Sequence, residues 1–216
     1  MLDREESPIC FDWPDRTAFP LIVPWPTRGN ISGMLEFRAA SEWLAFLRQH
    51  DLHPAVPLIV AAKYRRAQKL YALAWLEFDL IKAGELVALT ALELALRDRY
   101  GARAPKRGRQ PATLEGLLRH TVEGDGLTDG ALSFVRKYGG PVLPHLYETD
   151  AARTARQATQ SPPQTTLAAI RNSMAHGDPF DGLPWSGLLE LVRDVIHYAY
   201  RDMISETTAS SLGKMA

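Results

Sequence analysis

The segment at residues 84–101 restricts the fold of this chain more than any other. Its sequence is GELVALTALELALRDRYG. A helix of this sequence is apolar on nearly every side until Arg97, so other elements must surround it. We therefore predict a central, buried helix that Gly101 closes as its C-terminal cap. Glu93 lies in the middle of its most continuous apolar stripe. Because an isolated buried carboxylate is strongly unfavourable, we expect Glu93 to be neutral or to meet a cation.

Helical periodicity predicts further helices on both sides of this central segment. The chain from Met34 is predicted to be helical until shortly before Pro54, and a break or kink is expected at Gly84 because glycine is costly within helices. The other predicted helices span about 58–82, two short segments within 114–127 and 131–140, residues 167–176 with Thr165 or Thr166 as the N-cap, and about 185–203. The fold class is therefore an all-α helical bundle. Its last helix has an apolar surface wide enough for both the core and a partner helix.

The rest of the chain divides into an arm, a long connection and a tail. Residues 1–33 are rich in proline, glycine and tryptophan and predict an irregular, extended N-terminal arm, in which Leu-Ile-Val at 21–23 is compatible with a short strand. Residues 34–206 form the predicted helical domain, and residues 207–216 are expected to be a disordered tail. Within the domain, residues 141–163 predict a loop with one helical turn.

Charge and cysteine content exclude several classes of protein. The chain of 216 residues has 25 Lys and Arg and 25 Asp and Glu, so any nucleic-acid interface must be a local patch. Its single cysteine, Cys10, permits neither an intramolecular disulfide nor a cysteine-rich zinc site. The N-terminus is acidic and lacks an apolar run, and charged residues interrupt the apolar stretches between 58 and 96. We therefore expect a soluble, cytoplasmic protein with neither a signal peptide nor a membrane span.

Residues 167–180, LAAIRNSMAHGDPF, contain the groups with the most chemical potential. One side of this helix is an apolar stripe, and Arg171 flanks it. His176 lies roughly 140° around the helix from Arg171 and about 7.5 Å further along its axis. The two side chains therefore diverge within one helix, and they meet only if the helix frays at Gly177 or if a second copy supplies one of them. Arg171 is also the candidate cation for Glu93.

Each of these residues also has an interpretation without catalysis. Arg171 and Glu93 could form a structural ion pair, His176 could simply cap the helix, and Asn172 could be an ordinary polar residue. A basic run after the central helix could either attract RNA phosphates or form a solvated loop. This run consists of Arg97, Arg99, Arg103, Lys106, Arg107 and Arg109.

The sequence indicates no metal site. His50 and His53 have a spacing that suits a metal on a helix, but Pro54 ends the helix and a third ligand is lacking. We expect both to be surface histidines. Gly-rich phosphate loops, nucleophile elbows and HExxH motifs are likewise absent from the sequence.

The segment IRNSMAHG resembles the R-x4-6-H signature of HEPN domains (higher eukaryotes and prokaryotes nucleotide-binding). The arginine and histidine of the signature fall on Arg171 and His176, and the asparagine that commonly follows the arginine falls on Asn172. The central helix resembles the HEPN helix that supplies an acidic or polar residue facing the motif, here Glu93. The resemblance covers roughly residues 58–203 and leaves the N-terminal arm and the helix after it without a counterpart.

This resemblance implies a HEPN-like bundle and a metal-independent endoribonuclease that works as a homodimer without a cofactor. Two motif helices would meet at the dimer interface and form a composite site supported by Glu93. The resemblance assigns His176 to acid–base work on the 2′-hydroxyl or the leaving oxygen. It assigns Arg171 to stabilising the charge of the phosphorane and Asn172 to positioning the phosphate or a neighbouring side chain. The products would be 2′,3′-cyclic phosphates.

The resemblance also indicates a biological setting. HEPN proteins often serve as toxins, phage-defence effectors or RNA-processing factors, so RNA, a second copy and an antitoxin or operon partner are the expected partners. Some members keep the fold without nuclease activity. The alternative is therefore a catalytically inactive HEPN dimer that binds nucleic acid or another ligand, or that acts as a scaffold.

Overall fold

The computed structural model describes residues 13–104, 111–162, 165–177 and 182–212. These residues are mostly helical, which confirms the all-α class. The helices are α1 (Ala40–Arg48), α2 (Leu58–Leu73), α3 (Leu80–Tyr100), α4 (Leu114–Arg119), α5 (Ser133–Tyr138), α6 (Leu143–Leu146), α7 (Asp150–Thr159), α8 (Leu167–Ala175), α9 (Leu188–Ala199) and α10 (Arg201–Leu212). A two-stranded antiparallel sheet precedes them and consists of β1 (Leu21–Pro24) and β2 (Met34–Phe37).

Helix α3 lies at the centre of the bundle, as its apolar surface predicts. It contacts α2, α4, α8 and α9, and buried residues occur along its whole length. Residues 74–79 connect α2 to α3, and Gly101 takes the C-cap position of α3. Gly84 lies inside α3, where an added Cβ would come within 2.6 Å of the Tyr71 ring of α2. The break predicted at Gly84 is therefore wrong, because this glycine serves the close packing of α2 on α3.

The described part of the N-terminal arm, residues 13–33, packs on the bundle through the β-hairpin, and residues 1–12 lie outside the described residues. Leu21 and Trp25 are buried, and the Trp25 indole donates a hydrogen bond to the Glu190 carboxylate of α9 at 3.1 Å. The short strand expected in this arm is confirmed. The helix predicted from Met34 begins only at Ala40, because the intervening residues pair with β1 as strand β2.

Helix α9 is a core helix rather than an interface helix. All of its aliphatic residues are buried within the single chain, and so are Glu190 and Asp194. Asp194 accepts hydrogen bonds from the Ser133 hydroxyl and the Phe134 N–H, both at 2.6 Å. The polar residues of α9 thus join a buried network, and the apolar surface expected to receive a partner helix is covered by the chain itself.

Two further segments differ from the sequence expectation. Residues 150–159 form helix α7, where one helical turn was predicted. Thr149 caps this helix, and the Arg156 guanidinium bonds Glu148 at 2.6 Å, so polar contacts rather than apolar periodicity hold it. Residues 207–212 of the predicted tail belong to α10 and are helical rather than disordered, and residues 213–216 lie outside the described part of the chain. None of the helices in the described part of the chain combines the length and apolar composition of a membrane-spanning segment.

Candidate functional site

Helix α8 carries the predicted motif, and local capping fixes its N-terminal end. The Thr166 hydroxyl accepts a hydrogen bond from the Ala169 N–H at 3.2 Å, which confirms Thr166 as the N-cap. His176 takes the C-cap position, where its N–H donates to the Asn172 carbonyl at 3.1 Å. Because α8 packs on α3, the flank that carries Arg171 faces the central helix.

The central feature of the site is a triad of one carboxylate and two guanidinium groups. Arg171 Nη2 lies 2.8 Å from Glu93 Oε2, which confirms the predicted pair. Arg97 Nη2 lies 2.5 Å from Glu93 Oε1, so each carboxylate oxygen has its own cation. The Glu93 side chain is 9% exposed, whereas those of Arg171 and Arg97 are 31% and 43% exposed. The carboxylate is thus the buried anchor, and both guanidinium groups keep a surface open to solvent.

Asn172 restrains Arg171 from a second direction. Its Oδ1 accepts a hydrogen bond from Arg171 Nη1 at 3.2 Å. The Arg171 guanidinium therefore uses Nη2 for Glu93 and Nη1 for Asn172. Two separate attachments hold the plane of the guanidinium, which limits its rotation.

The triad forms a ridge between two open clefts. The α4 cleft, of about 380 Å³, lies on one side and is lined by the triad with Asn172, Thr113 and Glu115. The α2 cleft, of about 580 Å³, lies on the other side and is lined by the triad with Ile59, Lys63, Arg66 and Leu94. A ligand that bridges the two clefts must pass over the Arg97 and Arg171 guanidinium groups.

The α2 cleft is the more cationic of the two. Lys63 and Arg66 lie one helical turn apart on α2 and point to the same cleft as Arg97 and Arg171. No carboxylate among the described residues forms a salt bridge with Lys63 or Arg66. With Glu93 as its single acidic side chain, the lining of the α2 cleft has an excess of three positive charges.

His176 lies apart from the triad within one chain. It is exposed at the end of α8, and among the described residues its imidazole makes no hydrogen bond or ion pair with Arg171, Glu93 or Arg97. Within one chain the two side chains therefore form no hydrogen bond with each other, as their divergence along the helix predicts. A site that uses both residues needs a group from outside this chain or a rearranged helix end.

The predicted basic run does not act as one patch. Arg97 belongs to the triad, whereas Arg99 turns to the opposite side of α3. There its Nε donates to the Ala199 carbonyl at 2.8 Å, and its guanidinium lies 5.4 Å from the centre of the Tyr200 ring. Arg103 is exposed after the end of α3. Lys106, Arg107 and Arg109 lie outside the described residues.

The sequence interpretation missed Lys63 and Arg66 as site residues. Their position relative to Arg171 depends on the packing of α2, α3 and α8, which the sequence of α2 alone does not reveal. Lys63 and Arg66 follow Ile59 by four and seven residues, which places all three on one face of α2. This spacing is the sequence signal that identifies the face.

Buried titratable groups occur elsewhere in the bundle and were not foreseen. Glu85 is fully buried, and burial raises its pKa to about 7 although Lys82 Nζ lies 3.2 Å away. Burial lowers the pKa of His50 to about 4 and that of His197 to about 4. His50 is not the surface histidine expected from sequence, because its ring stacks on Trp25 at a centroid distance of 5.1 Å. These groups shape the stability of the bundle and lie outside the triad.

The described residues include no group of three or more His, Cys, Asp or Glu side chains placed to hold a metal ion. Comparison with protein-family models, with characterised proteins and with solved structures finds no significant match to this chain. The triad, its two clefts and the motif in α8 are the features of the described chain that bear on its function.

Proposed function

We propose that this protein is a metal-independent endoribonuclease of the HEPN type, which acts on RNA as a homodimer. The observation that carries the proposal is the Glu93–Arg171 pair at 2.8 Å, which keeps a guanidinium group on the ridge between two open clefts. An oriented guanidinium suits phosphate because its planar donors match two phosphate oxygens. The excess of positive charge in the α2 cleft gives RNA a local attraction that the neutral chain as a whole lacks.

The reaction is an internal transfer of the phosphoryl group. The RNA 2′-oxygen attacks the adjacent phosphorus and loses its proton to a base, while the 5′-oxygen leaves and gains a proton from an acid. The products are a 2′,3′-cyclic phosphate and a free 5′-hydroxyl. Arg171 stabilises the negative charge that grows on the phosphorane oxygens, and Asn172 positions the guanidinium. His176 exchanges protons with one of the two reacting oxygens.

The separation of His176 from Arg171 motivates the dimer in this proposal. Each chain contributes Arg171, Asn172 and Glu93 to one site and His176 to the other. The exposed position of His176 at the end of α8 is compatible with contact to a second copy. Action as a cytoplasmic toxin, phage-defence or stress-response effector, with an antitoxin or operon partner, belongs to the same proposal.

A second candidate is a catalytically inactive HEPN dimer that acts as a ligand-binding or scaffolding module. The observation that favours it is that both oxygens of Glu93 are occupied by arginines, which is also what a purely structural ion pair requires. Both guanidinium groups nevertheless remain partly exposed beside the clefts, which a purely structural ion pair does not require. We therefore place it second.

The test is an RNA cleavage assay in EDTA with the wild-type chain, Arg171→Ala, His176→Ala and a control. Arg48→Ala is a matched control, because Arg48 is exposed on α1 and does not line either cleft. We expect cleavage with cyclic phosphate ends by the wild type and the control, and a loss of about 10²–10⁴-fold in His176→Ala. Circular dichroism of each variant separates loss of chemistry from loss of fold. Equal inactivity of all four proteins on varied RNAs would favour the scaffold.

A further inference from the structure

The α2 cleft contains more binding groups than the chemistry at Arg171 requires. Lys63 and Arg66 take no part in the proposed reaction, and no carboxylate of the described chain pairs with them. Ile59, on the same face of α2, is 68% exposed although it is a large aliphatic residue. Unpaired cations next to an exposed aliphatic side chain form a surface that suits a ligand with both charge and an apolar face.

From these groups we propose that the α2 cleft is a subsite for single-stranded RNA next to the reacting phosphate. Lys63 and Arg66 bind backbone phosphate, and Ile59 with Leu94 contacts the face of an unpaired base. This inference rests on the proposed function for the identity of the polymer. It adds the residues that hold the strand, which neither the motif nor the triad specifies.

The shape of the cleft fits this assignment. Ile59, Lys63 and Arg66 span two turns of α2, or about 10 Å along its axis, and face the α3 turns that carry Leu94 and Arg97. The volume of about 580 Å³ falls within the roughly 300–1,000 Å³ of pockets that bind drug-sized ligands. Because the cleft reaches Arg171 at its edge, a strand bound there continues directly onto the ridge.

The charge arrangement favours an extended polyanion over a small free anion. Glu93 offsets part of the positive charge of Arg97 and Arg171, so an anion that contacts only the triad binds weakly. Lys63 and Arg66 lack such an offset among the described residues. A ligand with several phosphates along its length gains from both pairs of cations, whereas a single phosphate gains from only one pair.

The apolar groups favour a single strand over a duplex. In a duplex the base faces are stacked and paired, so only phosphate and sugar would reach Ile59. In a single strand an unpaired base is free to lie on apolar surface, as in other clefts that track single strands. Leu94 is half-buried beside the cleft and extends the same surface.

The experiment measures RNA binding separately from cleavage. A fluorescent, mixed-sequence single-stranded RNA of about ten nucleotides is titrated by anisotropy in the His176→Ala background, which prevents turnover. We expect Lys63→Ala/Arg66→Ala to weaken binding at least about tenfold at low salt and to reduce the salt slope by about 1.4. Ile59→Ser should weaken binding severalfold and leave the salt slope unchanged, because it removes apolar contact only.

The control removes the same charge elsewhere. Arg48→Ala/Arg65→Ala deletes two exposed arginines of α1 and α2 that do not line the cleft, so binding should change less than about twofold. Binding that weakens equally in both double variants overturns the subsite. A duplex of the same sequence, or an acidic peptide, that binds as tightly and depends equally on Lys63 and Arg66 overturns the assignment to single strands.

The outcome is independent of whether the protein is a nuclease. If the chain with His176 intact cleaves RNA but the Lys63/Arg66 variant keeps the wild-type KM and affinity, the subsite fails and the ribonuclease proposal stands. If the chain does not cleave RNA but binding depends on Lys63, Arg66 and Ile59, the ribonuclease proposal fails and the subsite stands. If neither cleavage nor binding of RNA occurs, both fail.

Discussion

Glu93 and Arg171 are 78 positions apart in the chain, yet their side chains meet at 2.8 Å on the ridge between two clefts. Arg97 occupies the other oxygen of the same carboxylate. The pair joins the central helix to the motif helix, so one contact serves both the packing of α8 and the orientation of the guanidinium group that we propose to bind phosphate. This double role makes the pair the first target for mutation.

Replacing Glu93 with Gln should separate binding from catalysis. The change removes the negative charge between Arg97 and Arg171, so we expect tighter binding of single-stranded RNA at low salt. Cleavage should fall, because the amide oxygen of Gln is an uncharged acceptor that holds the Arg171 guanidinium less firmly than the carboxylate does. Anisotropy and single-turnover cleavage measure the two effects, and tighter binding with unchanged cleavage would show that Glu93 does not orient Arg171.

Mixing two inactive variants should restore cleavage if the site is shared between two copies. In a heterodimer of Arg171→Ala and His176→Ala, one of the two composite sites receives an intact arginine and an intact histidine. We expect the mixture to recover activity after subunit exchange, up to about half of wild type in heterodimers, while each variant alone is inactive. A mixture as inactive as its components would place both residues in the same chain's site. Light scattering of the wild type gives the matching oligomeric state.

Glu85 should make the fold less stable as the pH rises from acidic to neutral. Its pKa is about 7 in the folded chain against a usual 4.5, so the unfolded chain loses its proton at lower pH. Stability therefore falls as the pH rises from about 4.5 to about 7 and is constant above. Glu85→Gln keeps an acceptor for the Trp185 N–H and removes this penalty. Denaturation should show the variant more stable than wild type at pH 8, by on the order of 3 kcal/mol, and equal to it at pH 4.

His197 should make the fold less stable as the pH falls below about 6.5. Its pKa is about 4 in the folded chain against a usual 6.5, so the unfolded chain binds a proton first. Stability from this group is present above about pH 6.5 and is lost as the pH falls toward about 4. Its Nε2 accepts a hydrogen bond from the His53 N–H at 2.9 Å, which a Gln side chain can also accept. His197→Gln should lose less stability than wild type between pH 6.5 and pH 4, and parallel curves would contradict the assignment.

Adding one methyl group at Gly84 should destabilise the bundle although it favours the helix. A Cβ at this position comes within 2.6 Å of the buried Tyr71 ring, so α2 and α3 must move apart. We expect Gly84→Ala to lower the free energy of unfolding by about 1–3 kcal/mol, despite the higher helix propensity of alanine. Gly130→Ala is the control, because a Cβ there meets no atom within 4 Å. Equal stability of the two variants would show that the helices tolerate the contact.

Local sequence patterns predicted the features that depend on one segment. The apolar surface of residues 84–101 identified the central helix. The position of Glu93 within it required either a neutral carboxyl group or a cation, for which Arg171 was the candidate. The N-cap at Thr166 follows from the same kind of local pattern. These predictions succeed because burial of a charge and capping of a helix are local requirements that the residue types themselves reveal.

Features that depend on distant partners were not predictable in the same way. Met34 begins a strand because β1 lies beside it, although its own segment has helical periodicity. The acidic residues of α9 form a polar stripe that resembles a solvent face, yet hydrogen bonds from Ser133 and Trp25 allow them to be buried. Lys63 enters the site only through helix packing. In each case the contact that determines the structure comes from a residue far away in the sequence, which the periodicity of the local segment does not identify.

The hydrogen bond from Trp25 to Glu190 spans 165 positions of the chain. Contacts of such long range form late in folding, because a long loop must close before they contribute. During synthesis the motif at 171–176 leaves the ribosome before α9, because it precedes α9 in the chain. Helix α9 is the one that packs against α3 and bonds the N-terminal arm. The bundle around the central helix α3 therefore stays incomplete until residues 188–199 have been made, and the clefts on either side of the triad gain their full support only at that stage.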